Sequence, residues 1–375
     1  MNPFLTGTVQ RSMFRMQSDL RRQLLCALFW APFAVAALGS VARSQEVAVP
    51  KSETPGAAAA PQTKEESTDV GTLEQLRSRT FGGVMLWGDV LCYREWRIQK
   101  HAVTGHFRLL DGNDKRLTWG TYETCLAELD RIKQDGHLGP MRGRVIIVLH
   151  GLGGFRATMQ PMADYLREQS KDKYQVLNIS YPSTLSDIGA HARALAGIID
   201  GLPEVEEIYF VAHSLGNLVV RHYLGDQVAS KGKQDPRIKR MVMLAPPNHG
   251  AERARAFADS DLFGIVLGDS AVQLGARWAT IEPKLATPTF EFGIVAGGRG
   301  DDKGYLSGVP GDNDGILSVA TTRLDGARDF ILVPVMHPLT MLNATVKQYT
   351  LTFLDNGYFI SAEKRQPIVP AKASP

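Results

Sequence analysis

One serine held between two small residues, with a buried-strand pattern before it and a helical pattern after it, constrains this chain more than any other feature. From residue 207 the order is Glu207-Ile208-Tyr209-Phe210-Val211-Ala212-His213-Ser214-Leu215-Gly216. Ile208–Val211 is apolar, β-branched and aromatic, which reads as a strand covered on both faces. Leu215, Val219 and Tyr223 then recur at i, i+4 and i+8, the stripe of a helix. Ser214 therefore sits at a strand-to-helix turn, with Ala212 and Gly216 two residues to either side. Such a turn is too tight for large neighbours. It lifts the hydroxyl off the sheet and points the next N–H at the same space.

Alone, a serine between small residues is usually an ordinary Ser-Gly turn, so the surrounding chain has to supply the weight. Val145–Leu149 is a second buried-strand run, ending in His150-Gly151-Leu152-Gly153-Gly154 and a helical stretch through Met159, Met162 and Leu166. Gln175–Ser180 follows as a strand, and Ile188, Ala192, Leu195, Ile199 and Leu202 mark a helix. Further strands are expected at Met241–Leu244, Phe290–Ala296 and Phe330–Val335. Leu339, Leu342, Val346, Tyr349 and Phe353 mark a last helix, closed by Gly357. Strands alternating with helices imply a mostly parallel, doubly wound sheet covered on both faces.

The first residues read as an export signal. Arg11 to Arg22 are basic, Leu24–Leu38 is an apolar run, and Ala42-Arg43-Ser44 offers small residues before a cut at Gln45. The apolar run is short for a bilayer span, so a cleaved signal over residues 1–44 is the expectation and an uncleaved anchor the alternative. The chain's 42 basic and 39 acidic residues become 37 and 38 once Arg11, Arg15, Arg21, Arg22, Arg43 and Asp19 are set aside. A near-neutral remainder argues against nucleic acid as a partner. Residues 45–72 lack aromatics and carry three prolines, the composition of a disordered linker.

From residue 73 to 140 we expect a β-rich extension. Short runs at Val84–Trp87, Tyr93–Ile98 and Phe107–Leu110 are separated by Gly-Asp, His-Ala and Asp-Gly-Asn-Asp turns, and Cys125, Leu129 and Ile132 lie at helical spacing. Cys92 and Cys125 either pair or remain buried thiols, and no cysteine or histidine spacing suggests a metal site. Residues 361–375 read as a disordered tail.

A serine hydroxyl needs an imidazole to take its proton. His150, His249 and His337 all stand near strand ends. His337 is the favoured base because it follows the last strand and comes after Ser214. His213 is expected to point away from the site. A carboxylate must orient the imidazole. Asp314, in Asp312-Asn313-Asp314-Gly315, is chosen, with Asp312 as runner-up. The N–H groups of Leu152 and Leu215 are the natural donors to an oxyanion. A dinucleotide-binding turn at 150–154 is rejected, because Arg156 stands where its third glycine belongs.

Together Ala-His-Ser-Leu-Gly, His-Gly-Leu-Gly-Gly, the Asp-Asn-Asp-Gly loop and the late His337 resemble the α/β-hydrolase superfamily, in its lipase and esterase branch. The likeness runs from about Val145 to Gly357, within a domain read as 141–360. Ala245–Ala251 is similar to the post-strand turn of that branch, where His249 shapes the loop. Ala212 and Asn217 depart from the glycines common in these positions. The resemblance implies the α/β-hydrolase fold and a triad of Ser214, His337 and Asp314 with an oxyanion hole at Leu152 and Leu215. No cofactor or metal is implied. The substrate would be a small-molecule or lipid ester, with peripheral contact to lipid as a further implication. The insertion at about 252–288, with its apolar run Leu262–Leu267, is read as a lid over the site or as a helical excursion with its own core. The expected function is an exported (periplasmic or secreted) serine esterase or lipase. The alternatives are an acyltransferase with the same triad and a non-catalytic envelope binding protein.

Overall fold

The computed structural model describes residues 83–136, 138–251 and 268–369. The signal, the linker, the apolar run Leu262–Leu267 and the end of the tail lie outside them.

Six strands form one parallel sheet: β5 (Gly143–Leu149), β6 (Gln175–Asn178), β7 (Val205–His213), β8 (Ile238–Leu244), β9 (Glu291–Gly298) and β10 (Asp329–Pro334). Their order across the sheet is β10-β9-β8-β7-β5-β6, and each neighbouring pair is parallel. The chain runs from β5 outward to β6 and then returns to the other side of β5 to form β7. That reversal leaves a crevice beyond the carboxyl ends of β5 and β7, where ligands of such sheets bind. Both the His150–Gly154 turn and Ser214 are there.

Period-two alternation divides each strand between two cores. On one face Ile147, Phe210 and Met243 pack with Leu195 of helix α3 (Ile188–Asp200) and Leu218 of helix α4 (Leu215–Lys231). On the other, Ile146, Val211 and Val242 meet Met162 of α2 (Arg156–Gln169) and Phe353 of α8 (Ala344–Asn356). The central strands are covered twice, which explains their unbroken apolar sequences.

The extension is an antiparallel sheet in the order β1 (Trp87–Tyr93), β2 (Trp96–His101), β3 (Phe107–Leu110), β4 (Arg116–Gly120). Helix α1 (Tyr122–Gln134) closes one side, its Cys125 and Leu129 packing with Ile98 and Leu109. Cys92 and Cys125 are free, buried thiols.

Several sequence expectations are corrected here. Val84–Leu86 is a 3-10 turn, so the first strand begins at Trp87. Gly88-Asp89 lies inside β1, because Asp89 pairs with Gln99 instead of turning. The run Tyr93–Ile98 breaks at Arg94, whose φ of 54° makes a hairpin. The last helix is two elements: residues 337–342 form a 3-10 turn, and Asn343 starts α8 anew by accepting from the Val346 N–H at 3.1 Å. Leu339 and Leu342 are consequently exposed. The described part of the insertion contains the short helices α5 (Asp269–Leu274) and α6 (Trp278–Ile281), and α7 (Val319–Thr322) precedes β10. No helix among the described residues is long and apolar enough to cross a membrane.

The core beneath α1 is small, so it is sensitive to cavities. Replacing the fully buried Leu129 by alanine is expected to cost about 2–5 kcal/mol in denaturant unfolding. A loss under about 1 kcal/mol would mean that this core contributes little.

Candidate active site

β7 ends at His213 and α4 begins at Leu215, so Ser214 alone makes the turn. Its φ of 51° and ψ of −121° form a conformation that costs a non-glycine residue roughly 1–3 kcal/mol. Neighbouring groups hold it there. The Ser214 N–H donates to the Leu244 carbonyl at 2.9 Å, and the Asn217 side-chain amide donates to the carbonyls of Ser214 and Leu244. Asn217, a departure from the family pattern in sequence, thus braces the elbow. Gly216 is required by close approach: a Cβ there would lie 2.8 Å from the His150 carbonyl oxygen and 2.9 Å from the Leu149 Cβ.

His337 opens the segment after β10. Its Nδ1–H donates to Asp314 Oδ2 at 2.6 Å, between side chains 6% and 0% exposed. This leaves Nε2 with its lone pair. The other Asp314 oxygen accepts from the N–H groups of Ile316 at 2.9 Å and Leu317 at 2.8 Å. The His337 N–H donates to the Asp314 carbonyl at 2.9 Å, so main chain and side chain are linked together. Asp312, the runner-up, turns elsewhere: its carboxylate accepts from the N–H groups of Arg299 and Gly300 and fastens the loop. Gly297 makes room for the pair, since a Cβ there would stand 2.7 Å from the Val335 carbonyl and 2.8 Å from the Asp314 Cβ.

Two contributors went unread in the sequence. Asn313 is fully buried; its amide nitrogen reaches the carbonyls of Lys303, Leu306, Val309 and Gly311, and its oxygen accepts from Leu306 and Gly315. It is the hub of the loop that carries Asp314, and the only sign in sequence was its place between two aspartates. His213 does not turn away from the site. Its Nε2–H donates to the His337 carbonyl at 3.1 Å, and the two rings lie 4.8 Å apart. Strand alternation sends His213 to the face that the segment after β10 crosses, which the local sequence does not disclose. This contact brings the Asp314–His337 pair beside the elbow.

The oxyanion candidates come from two places. Leu215 is the first residue of α4, where N–H groups have no intrahelical acceptor. Leu152 and Gly153 are the centre of a turn closed by Gly154 N–H to Gly151 carbonyl at 3.1 Å, with Gly153 at φ 69°. Such a turn leaves the Leu152 N–H outside its own hydrogen bond. Gly151 is tight against the elbow, its missing Cβ lying 3.0 Å from the Ser214 Cβ. His150 is not a base for Ser214: it is buried, donates from Nδ1 to the Gly151 carbonyl at 2.9 Å, and accepts at Nε2 from the Tyr181 N–H. His249 lies exposed on the turn after β8. Among the described residues no group of three or more His, Cys, Asp or Glu could hold a metal ion.

Burial holds His150 and His191 at about 4, with His150 adding to the effect on His191, and lowers His213 well below the ordinary imidazole value. In the unfolded chain these rings take up protons near 6.5. The unfolded state therefore binds protons first as pH falls, and for His150 and His191 the stability present above about pH 6.5 is lost down to about pH 4, roughly 3 kcal/mol for each of the two. The melting temperature is expected to fall across that window. The fall should be shallower in His191→Phe, which keeps a ring against Tyr181. A melting temperature independent of pH between 6.5 and 4 would contradict this.

Comparison with known proteins adds the family. The lipase BlEst2 of Bacillus licheniformis is 16% identical, over 58% of this chain and 93% of its own, with a TM-score of 0.41. Lipase B of Aspergillus fumigatus is 12% identical, over 59% and 55%, with a TM-score of 0.43. Phospholipase PlaB of Legionella pneumophila is 20% identical, over 48% and 45%, with a TM-score of 0.37. No curated protein matches. The sequence model of the alpha/beta hydrolase family matches residues 145–371, more than half of the chain and all six strands but the first two residues of β5. On that match the chain belongs to the α/β-hydrolase family.

Proposed function

We propose that this hydrolase is an exported serine esterase that cleaves carboxylic esters, above all acyl esters of lipidic character, through an acyl-enzyme. One observation supports the reading: His213, the residue before the strained Ser214, contacts the His337 of a buried carboxylate–imidazole pair. In this mechanism Ser214 Oγ attacks the ester carbonyl while its proton passes to His337 Nε2. That nitrogen is free to accept because Nδ1–H is committed to Asp314 Oδ2. The N–H groups of Leu152 and Leu215 take the charge that develops on the carbonyl oxygen. The C–O bond to the alcohol then breaks, and His337 returns the proton to the leaving oxygen. Water repeats the sequence against the acyl-enzyme and releases the acid.

The preference for an apolar acyl group is supported by the surface beside His337. Met336, Leu339 and Leu342 are each more than two-fifths exposed, on the 3-10 turn that His337 begins and the residue before it. Export is proposed from the basic, apolar and small-residue sequence of residues 1–44.

A fluorophosphonate is expected to label Ser214, and Ser214→Ala to lower kcat by roughly 10⁶. Asp314→Asn, which disturbs the tautomer of His337, should cost about 10⁴. Ester turnover unchanged in Ser214→Ala would end the proposal. Among p-nitrophenyl esters, kcat/KM should rise from acetate toward longer chains; a preference for acetate would remove the lipidic part. In a secreting host the exported protein should begin at Gln45, whereas an intact Met1 chain held in the membrane fraction would favour the anchor.

A further inference from the structure

We propose that Asp89, in the N-terminal sheet, is a positioning residue for the oxyanion-binding turn, so that the appended sheet takes part in acyl transfer. This inference rests on the serine-esterase reading above.

The turn Gly151–Gly154 packs against the elbow at Gly151 and is hydrogen-bonded to residues 180–183. The Gly153 N–H donates to Ser183 Oγ at 3.0 Å. The Tyr181 hydroxyl donates to the His150 carbonyl, its N–H donates to His150 Nε2 at 3.3 Å, and its ring stacks on His150 at 4.1 Å. Residues 180–183 therefore help to set the direction of the Leu152 amide.

Those residues continue beyond β6, which is the edge of the large sheet. An edge segment left to water would be among the more mobile parts of such a fold. Here the N-terminal sheet covers it. The Asp89 N–H donates to the Ser180 carbonyl at 2.8 Å, and Asp89 Oδ2 accepts from the Ser180 N–H at 2.7 Å. The carboxylate, 1% exposed, cannot swing away. Gln99 Nε2 donates to its Oδ1 at 2.7 Å and Arg97 Nη1 to its Oδ2 at 3.1 Å, while Arg97 also reaches the Asn178 carbonyl. Arg108 fixes Gln99 in turn through two bonds to its oxygen. Arg97 also lies 3.9 Å from Asp114 of the β3–β4 loop, which pairs with Arg156 at the start of α2. The small sheet thus holds the end of β6, from which the segment carrying Ser183 continues, and the start of α2, into which the oxyanion turn leads.

The test uses the full-length enzyme, a p-nitrophenyl ester, and an alkyl boronic acid whose serine adduct is a tetrahedral anion. In Asp89→Ala, kcat is expected to fall about 10- to 100-fold, because small misplacements of an oxyanion donor are costly. KM should stay within about twofold, and boronate affinity should weaken in step with kcat. Asp89→Asn keeps an acceptor for the Ser180 N–H but turns an amide NH2 toward Gln99 Nε2, so it should recover part of the loss. Ser183→Ala removes the acceptor of the Gly153 N–H without touching the small sheet, and should show the same signature. Wild-type kcat in folded Asp89→Ala, or a fall in kcat with unchanged boronate affinity, would overturn the proposal. If Asp89→Ala does not fold, Ser183→Ala decides, and wild-type kcat there overturns it. A wild-type enzyme that neither turns over esters nor takes the fluorophosphonate label would instead remove the serine-esterase reading.

Discussion

The hydrogen bond between His337 Nδ1 and Asp314 Oδ2 is the contact on which the rest of the site depends. At 2.6 Å, with both side chains buried, it selects the imidazole tautomer and fixes its ring plane. Neither partner would hold that position unaided. Asp314 is fastened by two backbone N–H groups and by the loop that Asn313 gathers around itself. His337 is fastened by its own N–H to Asp314 and by its carbonyl to His213. A carboxylate in so enclosed a place is stable only when both oxygens are hydrogen-bonded, and here three donors meet them.

The parallel sheet turns these local attachments into a common site. The switch between β5 and β7 sets the His150 turn and the Ser214 elbow side by side, and β9 and β10 deliver the loop and the histidine to the same edge. Strain at Ser214 persists because a buried strand precedes it, a buried helix follows, and Asn217 ties the two. The small antiparallel sheet belongs to this arrangement as the cover of the β6 edge.

What the sequence disclosed follows from where the information is local. Strands covered on both faces are continuous apolar runs, so β5, β7 and β8 could be read directly, as could the elbow between Ala212 and Gly216. Asp314 and His337 were reached through chain order and turn chemistry. The contacts that organise the site escaped because they join distant segments. Nothing near Ser183 shows that it meets Gly153, and nothing near His213 shows that it meets the His337 carbonyl. Asn313 looked like one more polar loop residue because its carbonyl partners are spread from 303 to 311. The small sheet was read less well than the large one. Its strands alternate polar with apolar and carry buried charge at Asp89, Arg97 and Arg108, so neither Gly88-Asp89 nor Tyr93–Ile98 could be divided correctly from pattern alone.

The most direct test of the central claim is a crystal structure of the enzyme after reaction with a fluorophosphonate. The expected result is phosphorus bonded to Ser214 Oγ, its outward oxygen about 2.7–3.1 Å from the N–H groups of Leu152 and Leu215. His337 Nε2 should lie within hydrogen-bond reach of Ser214 Oγ, with Nδ1 still bonded to Asp314. An adduct on another residue, or one on Ser214 with its oxygen turned away from both amides and His337 out of reach, would contradict the account.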